Sequence, residues 1–239
     1  TEIMVFYPEE GVSDMQKRQM VTQEGENVTV CAVKGNFDDC QSGVKKIFTD
    51  HEVLTALDNG NMTFSSANSI NWGRLVPQIV YYVSSYVSLA ESGEIAYGDK
   101  LNVVVPTGNF GNILAAYYAK QMGVPIGKLI CASNINKVLT DFIRTGVYDR
   151  NRQFYATTSP SMDILISSNL ERLLYLLTGE DDAQVREWFT ALAESGRYEV
   201  TDAVKAKMSE LFYGGFCDDA ATKATIAEIY QKYGYTCDT

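Results

Sequence analysis

Several residue types and patterns that identify common classes of protein are missing from this sequence. His51 is the only histidine, which disfavours a Ser-His-Asp triad or a His-Cys metal cluster, because both need an imidazole. The five cysteines are widely scattered and no Cys-x-x-Cys occurs, which argues against a zinc knuckle and a disulfide scaffold. No apolar run approaches the ~20 residues of a membrane helix, and no signal-peptide pattern opens the chain. We therefore expect free thiols, no membrane partner and a reducing, cytoplasmic location.

Basic residues are also scarce. The 239 residues include 30 acidic and 20 basic side chains, giving a formal net charge of -10. This bulk charge disfavours binding to nucleic acid or to an anionic membrane. It does not exclude a local phosphate site, because backbone N–H donors carry no net charge. Hydrophobic residues make up 46% of the chain, enough for the core of one large domain or two small ones.

The most informative stretch runs from residue 101 to residue 122 and combines a strand, a glycine-bearing turn and a helix. Residues 101–105 are apolar and mostly β-branched, which predicts a buried strand, and residues 113–122 are mostly good helix formers. Free N–H groups at a helix start, with the dipole behind them, favour an anion. Two glycines would let the backbone approach a phosphate closely, and two asparagines would add side-chain donors. The candidate phosphate-binding residues are Gly108, Asn109, Phe110, Gly111 and Asn112.

The residues of this stretch, taken alone, do not require a ligand. A tight connection with a helix cap would produce the same pattern without one. A nucleoside-triphosphate P-loop fits less well because no Gly-Lys-Ser/Thr follows. The dinucleotide fingerprint Gly-x-Gly-x-x-Gly is absent too.

The rest of the chain predicts an α/β fold in two parts. Residues 1–50 read as a layered β-α-β-α unit, with Ser13 as a predicted helix cap. A turn-rich stretch at Asp58–Asn61 is the predicted boundary. We therefore predict a small α/β unit over residues 1–60, and part of a larger α/β domain with a helical C-terminal region over residues 61–239.

A second polar cluster lies upstream of the glycine turn. Residues 63–67 are predicted to be extended, and residues 72–91 to be helical. Asn68, Ser69 and Asn71 fall between them, where a strand ends and a helix begins, the usual place for ligands in an open α/β sheet. Helix capping alone would account for the same residues.

Downstream, the alternation of strands and helices continues. Residues 128–133 predict a buried strand with Asn134 and Asn136 at its exit, so the alternation indicates a parallel sheet with flanking helices and right-handed crossovers. Asp163 is predicted to lie just inside the start of a helix. The predicted helices of this region cover residues 137–145, 162–177, 183–195, 201–212 and 220–233.

Four blocks of the sequence resemble the threonine synthase family, and they occur in the family's order. The blocks are Ala67–Tyr82, Pro106–Asn112, Asn134–Val138, and Ser161–Asp163 followed by Asn169–Arg172. Together they are far more specific than a single glycine turn.

The resemblance implies a fold-type II pyridoxal-phosphate enzyme with the architecture of tryptophan synthase β, of which this chain holds an incomplete part. It implies the conversion of O-phosphohomoserine and water to threonine and phosphate. On this interpretation residues 108–112 bind the cofactor phosphate, within the larger domain. Asn68, Ser69, Asn71 and Arg74 would face the substrate, with Arg74 as a partner for an anionic group.

The catalytic lysine of such an enzyme is missing from the sequence. Pyridoxal phosphate needs a lysine for its Schiff base, and the resemblance places it in a Phe-Lys-Asp-type motif upstream of the region matched here. No lysine of this chain has that context, and Lys137, after an asparagine-rich strand exit, comes nearest to one. We therefore expect a fragment without the N-terminal part and the C-terminal tail, with no catalytic residue of its own and no turnover in isolation.

Two alternatives remain beside this interpretation. A related fold-type II enzyme, threonine dehydratase or cysteine synthase, would share the fold, although the 68–74 block favours threonine synthase. The chain could also be a non-catalytic phosphate-binding module that has lost the lysine.

Overall fold

A computed structural model describes residues 1–9, 12, 14–35 and 37–238, with Phe37 and Asp38 described by their backbone alone. Internal contacts divide the chain into two compact units, Thr1–Ser65 and Ser66–Thr239. The predicted division after residue 60 falls five positions earlier. As an assignment of domains in the protein, it stays a prediction.

The first unit is a small parallel α/β layer. Its two strands pair in parallel from Ile3 opposite Val28 to Pro8 opposite Val33. The predicted cap Ser13 lies outside the described residues. The elements are β1 (Ile3–Pro8), α1 (Asp14–Val21), β2 (Val28–Val33), α2 (Phe37–Thr49) and α3 (His51–Asn59).

The third helix of this unit was not predicted from the sequence. Asp50 caps it, because its carboxylate accepts hydrogen bonds from the N–H groups of Glu52 and Val53 at 2.9 and 3.1 Å. Such a cap stabilises a helix by about 1 kcal/mol. The predicted turn at residues 58–61 therefore includes the end of α3, whose last helical residue is Asn59 and whose C-terminal cap is Gly60.

The second unit alternates strands and helices as predicted, with additional strands in its C-terminal half. Its first elements are α4 (Trp72–Leu75), a 3₁₀ turn (Val76–Gln78), α5 (Ile79–Glu91), β3 (Leu101–Pro106), α6 (Gly111–Gln121), β4 (Ile126–Ser133) and α7 (Val138–Thr145). The later ones are β5 (Val147–Asp149), a 3₁₀ turn (Pro160–Met162), α8 (Leu170–Leu177), α9 (Asp182–Ser195), β6 (Arg197–Glu199), α10 (Asp202–Leu211), β7 (Phe212–Phe216) and α11 (Asp219–Tyr233).

The main sheet has three parallel strands in the order β3-β4-β7, so the predicted parallel sheet is confirmed. Its third strand was not predicted, because residues 212–216 read Phe-Tyr-Gly-Gly-Phe and lack a clear strand pattern. Gly214 is needed there: a Cβ would lie 2.9 Å from the backbone Cα of Thr140 on α7. The helical C-terminal region therefore also contributes an edge strand to the main sheet. A short antiparallel pair, β5 with β6, lies apart from the main sheet.

The core of this unit forms where α6 and α7 cover the sheet. Along α6, Ile113, Leu114 and Ala116 are fully buried, and Phe142 on α7 packs edge-to-face on Tyr148. Each large apolar side chain buried in this way contributes roughly 1.5–3 kcal/mol. The helix that carries the candidate loop is therefore firmly anchored.

Three predicted segments differ from the structure. Residues 63–67 are irregular, not extended strand. The predicted helix 72–91 is broken by the 3₁₀ turn at Val76–Gln78, because Pro77 has no N–H to continue the α-helical hydrogen bonds. The predicted helix 162–177 begins only at Leu170, so Asp163 is not a residue of its first turn.

Among the described residues, none of the helices combines the length and the apolar character required to cross a membrane.

Candidate functional site

The glycine-bearing loop starts from a fixed point between two strands. Thr107 follows β3 and is buried; its N–H donates to the carbonyl of Ala132 on β4 at 2.8 Å. Its hydroxyl turns back to the carbonyl of Val105 at 2.6 Å. The loop therefore leaves the sheet at its carboxyl edge, where ligands of open α/β sheets bind.

Phe110 makes the turn from the loop into α6. It has φ 62° and ψ 5°, the left-handed conformation that few residues other than glycine adopt. Its ring is 1% exposed and lies 5.7 Å from the ring of Phe212 on β7. Burial of this ring offsets the backbone strain, which is of order 1–3 kcal/mol.

Six consecutive backbone amides of the loop have no acceptor. Within the described part of the chain, the N–H groups of residues 108–113 donate no hydrogen bond, and the first bond of α6 joins Leu114 N to Phe110 O at 3.1 Å. Unpaired amides at the start of an eleven-residue helix carry its positive dipole end. The arrangement is suited to an anion with several oxygens, such as a phosphate group.

The two glycines are required by contacts inside the protein. A Cβ on Gly108 would lie 2.4 Å from the carbonyl oxygen of Ser161, and one on Gly111 would lie 2.6 Å from Ser69 Oγ. From the sequence, both glycines were expected to allow the close approach of a ligand. The structure shows that protein atoms already fill the space on the side where a Cβ would project.

The two asparagines of the loop differ in their side-chain contacts. Asn109 Oδ1 is buried and has no hydrogen-bond partner among the described residues, so a ligand bearing a donor could satisfy it. Asn112 is bonded to α5 and the turn before it: its Nδ2 donates to Gln78 Oε1 at 2.9 Å, and its Oδ1 accepts from the Tyr82 hydroxyl at 2.5 Å. The expected side-chain donor of Asn112 is thus already used, which leaves its backbone N–H for a ligand.

The upstream cluster forms a turn stabilised by its own side chains. Asn68 Oδ1 accepts from Ile70 N at 3.1 Å, and Asn71 Oδ1 caps α4 through Gly73 N at 2.9 Å. Helix capping therefore accounts for Asn71. Arg74 is exposed, and its Nε donates to the carbonyl of Ala67 at 3.1 Å.

One residue of this cluster reaches the glycine loop. Ser69 Oγ accepts from Asn169 Nδ2 at 2.9 Å, and the same Nδ2 donates to the carbonyl of Asn109 at 2.9 Å. Arg172 donates to the carbonyls of Ser69 and Ile70 at 2.9 and 2.5 Å. The structure therefore brings the two predicted site segments together, through two residues that the sequence patterns did not assign to the site.

A third segment approaches the loop at Gly108 through Ser161 and is held together around Asp163. Its carboxylate is 6% exposed and accepts from Asn134 Nδ2 at 2.6 Å, from Asn136 Nδ2 at 2.9 Å, and from both the N–H and the hydroxyl of Thr157. The asparagines at the β4 exit thus hold the 155–163 segment, which places Ser161 against Gly108. In the sequence, this cluster was indicated by the asparagines that follow two successive predicted strands.

The lysines closest to strand ends have other partners. Lys137 Nζ lies 4.1 Å from the ring centroid of Phe216 and 4.0 Å from Asp141 Oδ1. Lys128 Nζ donates to the carbonyls of Ser209 and Glu210 at 2.7 and 2.5 Å. These contacts give neither side chain a role at the glycine loop.

Comparison with known proteins gives relatives along the whole chain. The chain is 46% identical to threonine synthase-like 1 of Homo sapiens over 99% of the chain's own length, and it covers 32% of the human protein. It is 40% identical to threonine synthases of Saccharomyces cerevisiae and Pseudomonas aeruginosa, covering 45% and 48% of them. No family model matches the chain.

Solved structures agree with the sequence comparison. The structure of a pyridoxal-phosphate-bound threonine synthase from Brucella melitensis superposes with a TM-score of 0.84 and 42% identity, over 100% of this chain and 49% of that one. The threonine synthase of Escherichia coli gives 0.77 and 29% identity over 47% of its length. The chain spans half or less of the length of these relatives. Over the part that it spans, the chain has the fold of these threonine synthases, and it is 37–46% identical to the curated relatives named threonine synthase or threonine synthase-like.

Proposed function

We propose that the protein carrying this chain is a pyridoxal-phosphate-dependent threonine synthase, which converts O-phosphohomoserine and water to threonine and phosphate. In this proposal residues 108–113 bind the phosphate of the cofactor, and the isolated chain has no turnover because its lysines do not provide the covalent anchor. A cytoplasmic location goes with the proposal, because the cysteines in the described residues are free thiols.

The observation that carries the proposal is the row of six amides at the N-terminus of α6 that have no acceptor in the described chain. A phosphate held there would accept hydrogen bonds from backbone N–H groups, whose positions are fixed by the sheet and the helix. The buried Asn109 Oδ1 is left for a donor on the same ligand. The residues present therefore fit the cofactor's phosphate, while its ring and aldehyde would need groups beyond those found in this loop.

The chain's own part in the reaction is binding and orientation. Bound pyridoxal phosphate would supply the electron sink that stabilises a carbanionic substrate. The amides of the loop would fix its phosphate. The exposed Arg74 guanidinium donates from its Nε to the carbonyl of Ala67, and its terminal nitrogens would attract the phosphate group of the substrate.

A binding experiment on the ¹⁵N-labelled chain tests the phosphate site. Titration with inorganic phosphate, and separately with pyridoxal phosphate, is expected to shift the amide resonances of residues 108–113 saturably. Asn112→Asp should abolish the binding, because a carboxylate at this position repels the anion, while the same charge favours the start of α6. Gln121→Glu makes the same charge change at the far end of α6 and serves as the matched control.

Two results would contradict the phosphate site. One is the absence of any saturable shift at residues 108–113 with either ligand. The other is a dissociation constant that Asn112→Asp leaves unchanged from the unmodified chain.

A kinetic experiment on the intact protein tests the reaction. With pyridoxal phosphate and O-phosphohomoserine, the intact protein should release phosphate and form threonine, whereas the isolated chain should do neither. Arg74→Ala in the intact protein should raise KM for O-phosphohomoserine, with a smaller effect on kcat. Threonine formation by the isolated chain would overturn the claim that it lacks the anchor.

A second candidate function is binding of a phosphate-bearing ligand without synthase activity. It is favoured by the identity of 46% to a protein named threonine synthase-like, against 29–42% to those named threonine synthase. An intact protein that binds pyridoxal phosphate at residues 108–113, but releases no phosphate from O-phosphohomoserine, would support this candidate and contradict the first.

A further inference from the structure

The carbonyl groups of the glycine loop are held by one later segment of the chain, residues 167–172. Gly108 O accepts from the hydroxyl of Ser167 at 2.8 Å. Asn109 O accepts twice from Asn169, from its Nδ2 at 2.9 Å and from its backbone N–H at 3.1 Å. Ser167 is 2% exposed and Asn169 is fully buried, so water does not compete strongly for these bonds.

Each of these bonds fixes the direction of an amide as well as a carbonyl. The peptide group is planar and trans, so the C=O of one residue and the N–H of the next point in opposite directions. Holding Gly108 O therefore aims the N–H of Asn109 away from Ser167. Holding Asn109 O likewise aims the N–H of Phe110 away from Asn169.

Arg172 keeps this segment in register with the upstream cluster. Its Nη1 donates to Asn169 Oδ1 at 2.5 Å and to the carbonyl of Ser69 at 2.9 Å, and its Nη2 donates to the carbonyl of Ile70. No carboxylate lies within ion-pair distance of Arg172 in the described residues. The guanidinium is thus held by neutral oxygens in a fork geometry that a lysine cannot reproduce.

We propose that Ser167, Asn169 and Arg172 are positioning residues that aim the amides of Asn109 and Phe110 at the phosphate. Ser167 and Asn169 orient the two peptide planes, and Arg172 fixes Asn169 while tying the 69–70 carbonyls to the same segment. In this proposal the three side chains act through the loop and do not themselves bind the phosphate. The inference deepens the proposed function and rests on it for the identity of the anion, but not for the orientation of the amides.

The test uses neighbouring hydroxyls as a matched pair. Ser167→Ala removes the bond to Gly108 O, whereas Ser168→Ala removes a buried hydroxyl with no partner among the described residues. Asn169→Ala and Arg172→Lys address the other two contacts. Arg186→Lys on α9, at a surface arginine that forms an ion pair with Asp182, is the control for the arginine.

Three quantities are measured on the ¹⁵N-labelled chain: the dissociation constant for inorganic phosphate, the order parameters of the 109 and 110 amides, and the melting temperature. Ser167→Ala, Asn169→Ala and Arg172→Lys should each weaken phosphate binding by about tenfold or more, since each loses a bond that aims a donor. The order parameters should fall from about 0.85 towards 0.6. Ser168→Ala and Arg186→Lys should change neither the phosphate affinity nor the order parameters. If Ser167, Asn169 and Arg172 had a purely structural role, their variants would lower only the melting temperature.

The outcomes separate this inference from the proposed function. Unchanged order parameters and unchanged phosphate affinity in all three variants would overturn the positioning role alone, provided the unmodified chain binds phosphate. Lower order parameters in a chain that binds no phosphate would support the positioning role and overturn the proposed function. If Asn169→Ala fails to fold, Ser167→Ala and Arg172→Lys decide the result.

Discussion

The hydroxyl of Tyr82 on α5 lies 2.5 Å from Oδ1 of Asn112 in the first turn of α6 and donates a hydrogen bond to it. The same hydroxyl lies 3.1 Å from the carbonyl oxygen of Asn112. The Tyr82 hydroxyl therefore links α5 to the first turn of the helix that begins at the candidate phosphate loop. Burial raises the pKa of Tyr82 to about 12.

This pKa predicts a loss of stability in alkali that depends on Tyr82. Since the folded-state pKa lies above the unfolded value, the stabilisation is complete below pH 10 and is lost as the pH rises towards 12. The melting temperature of the unmodified chain should fall over this interval. The melting temperature of Tyr82→Phe should be lower at pH 7 but should fall less steeply between pH 10 and 12. Tyr97→Phe, at an exposed tyrosine, is the control; equal slopes for Tyr82→Phe and the unmodified chain would contradict the prediction.

Alanine at Gly108 should destabilise the second unit more than alanine at Gly111. The Cβ at Gly108 would collide with a backbone carbonyl, which cannot move alone, whereas that at Gly111 would meet the side chain of Ser69. We expect a loss of about 3 kcal/mol for Gly108→Ala and about 1–2 kcal/mol for Gly111→Ala in urea unfolding. Gly43→Ala in α2, where nothing lies within 4 Å, should be neutral or stabilising by up to ~1 kcal/mol. The reverse order of the two loop variants would argue against the packing described here.

Asp163→Asn should be strongly destabilising although it changes only one atom. An amide in place of the carboxylate would point N–H groups at the donors of Asn134, Asn136 or Thr157. We expect a loss of about 3 kcal/mol or more in free energy of unfolding. Asp182→Asn, at an exposed ion pair with Arg186, should cost under about 1 kcal/mol. Similar losses of unfolding free energy for the two variants would show that the hydrogen bonds of Asp163 do not stabilise the 155–163 segment as described.

The cysteines should divide into slow and fast groups towards a thiol reagent. Cys131 is fully buried on β4, and burial raises the pKa of its thiol to about 11, so little thiolate forms at pH 8. The partly exposed Cys31, Cys217 and Cys237 should react before Cys131 in the folded chain. Mass spectrometry after timed alkylation identifies the order, and early labelling of Cys131 without unfolding would contradict it.

The central strand, loop and helix could be predicted because their signals are local. An apolar β-branched run, two glycines and a run of helix formers specify β3 and α6 without reference to the rest of the chain. The asparagines at two strand exits likewise indicated the polar edge at which Asn109 and Asn134 are found.

The remaining parts of the site depend on contacts between distant segments, which a sequence pattern does not show. Asn169 and Arg172 look like residues of an ordinary helix start, yet their partners lie about a hundred positions earlier. Asp163 was predicted to lie just inside the start of a helix, but its buried carboxylate instead accepts hydrogen bonds from Asn134 and Asn136 at the β4 exit. The strand Phe212–Phe216 was not predicted because glycine has a low strand propensity. Gly214 is needed there because α7 packs closely against it.

That last strand also affects the order in which the molecule can assemble. During synthesis β4 emerges with one open edge, and its partner Phe212–Phe216 follows only after four more helices. Until then the nascent chain exposes an unpaired parallel strand beside apolar helices, a state that folds slowly and is prone to association. Ribosome-bound chains stalled before residue 212 should therefore need chaperones more than those released after residue 216.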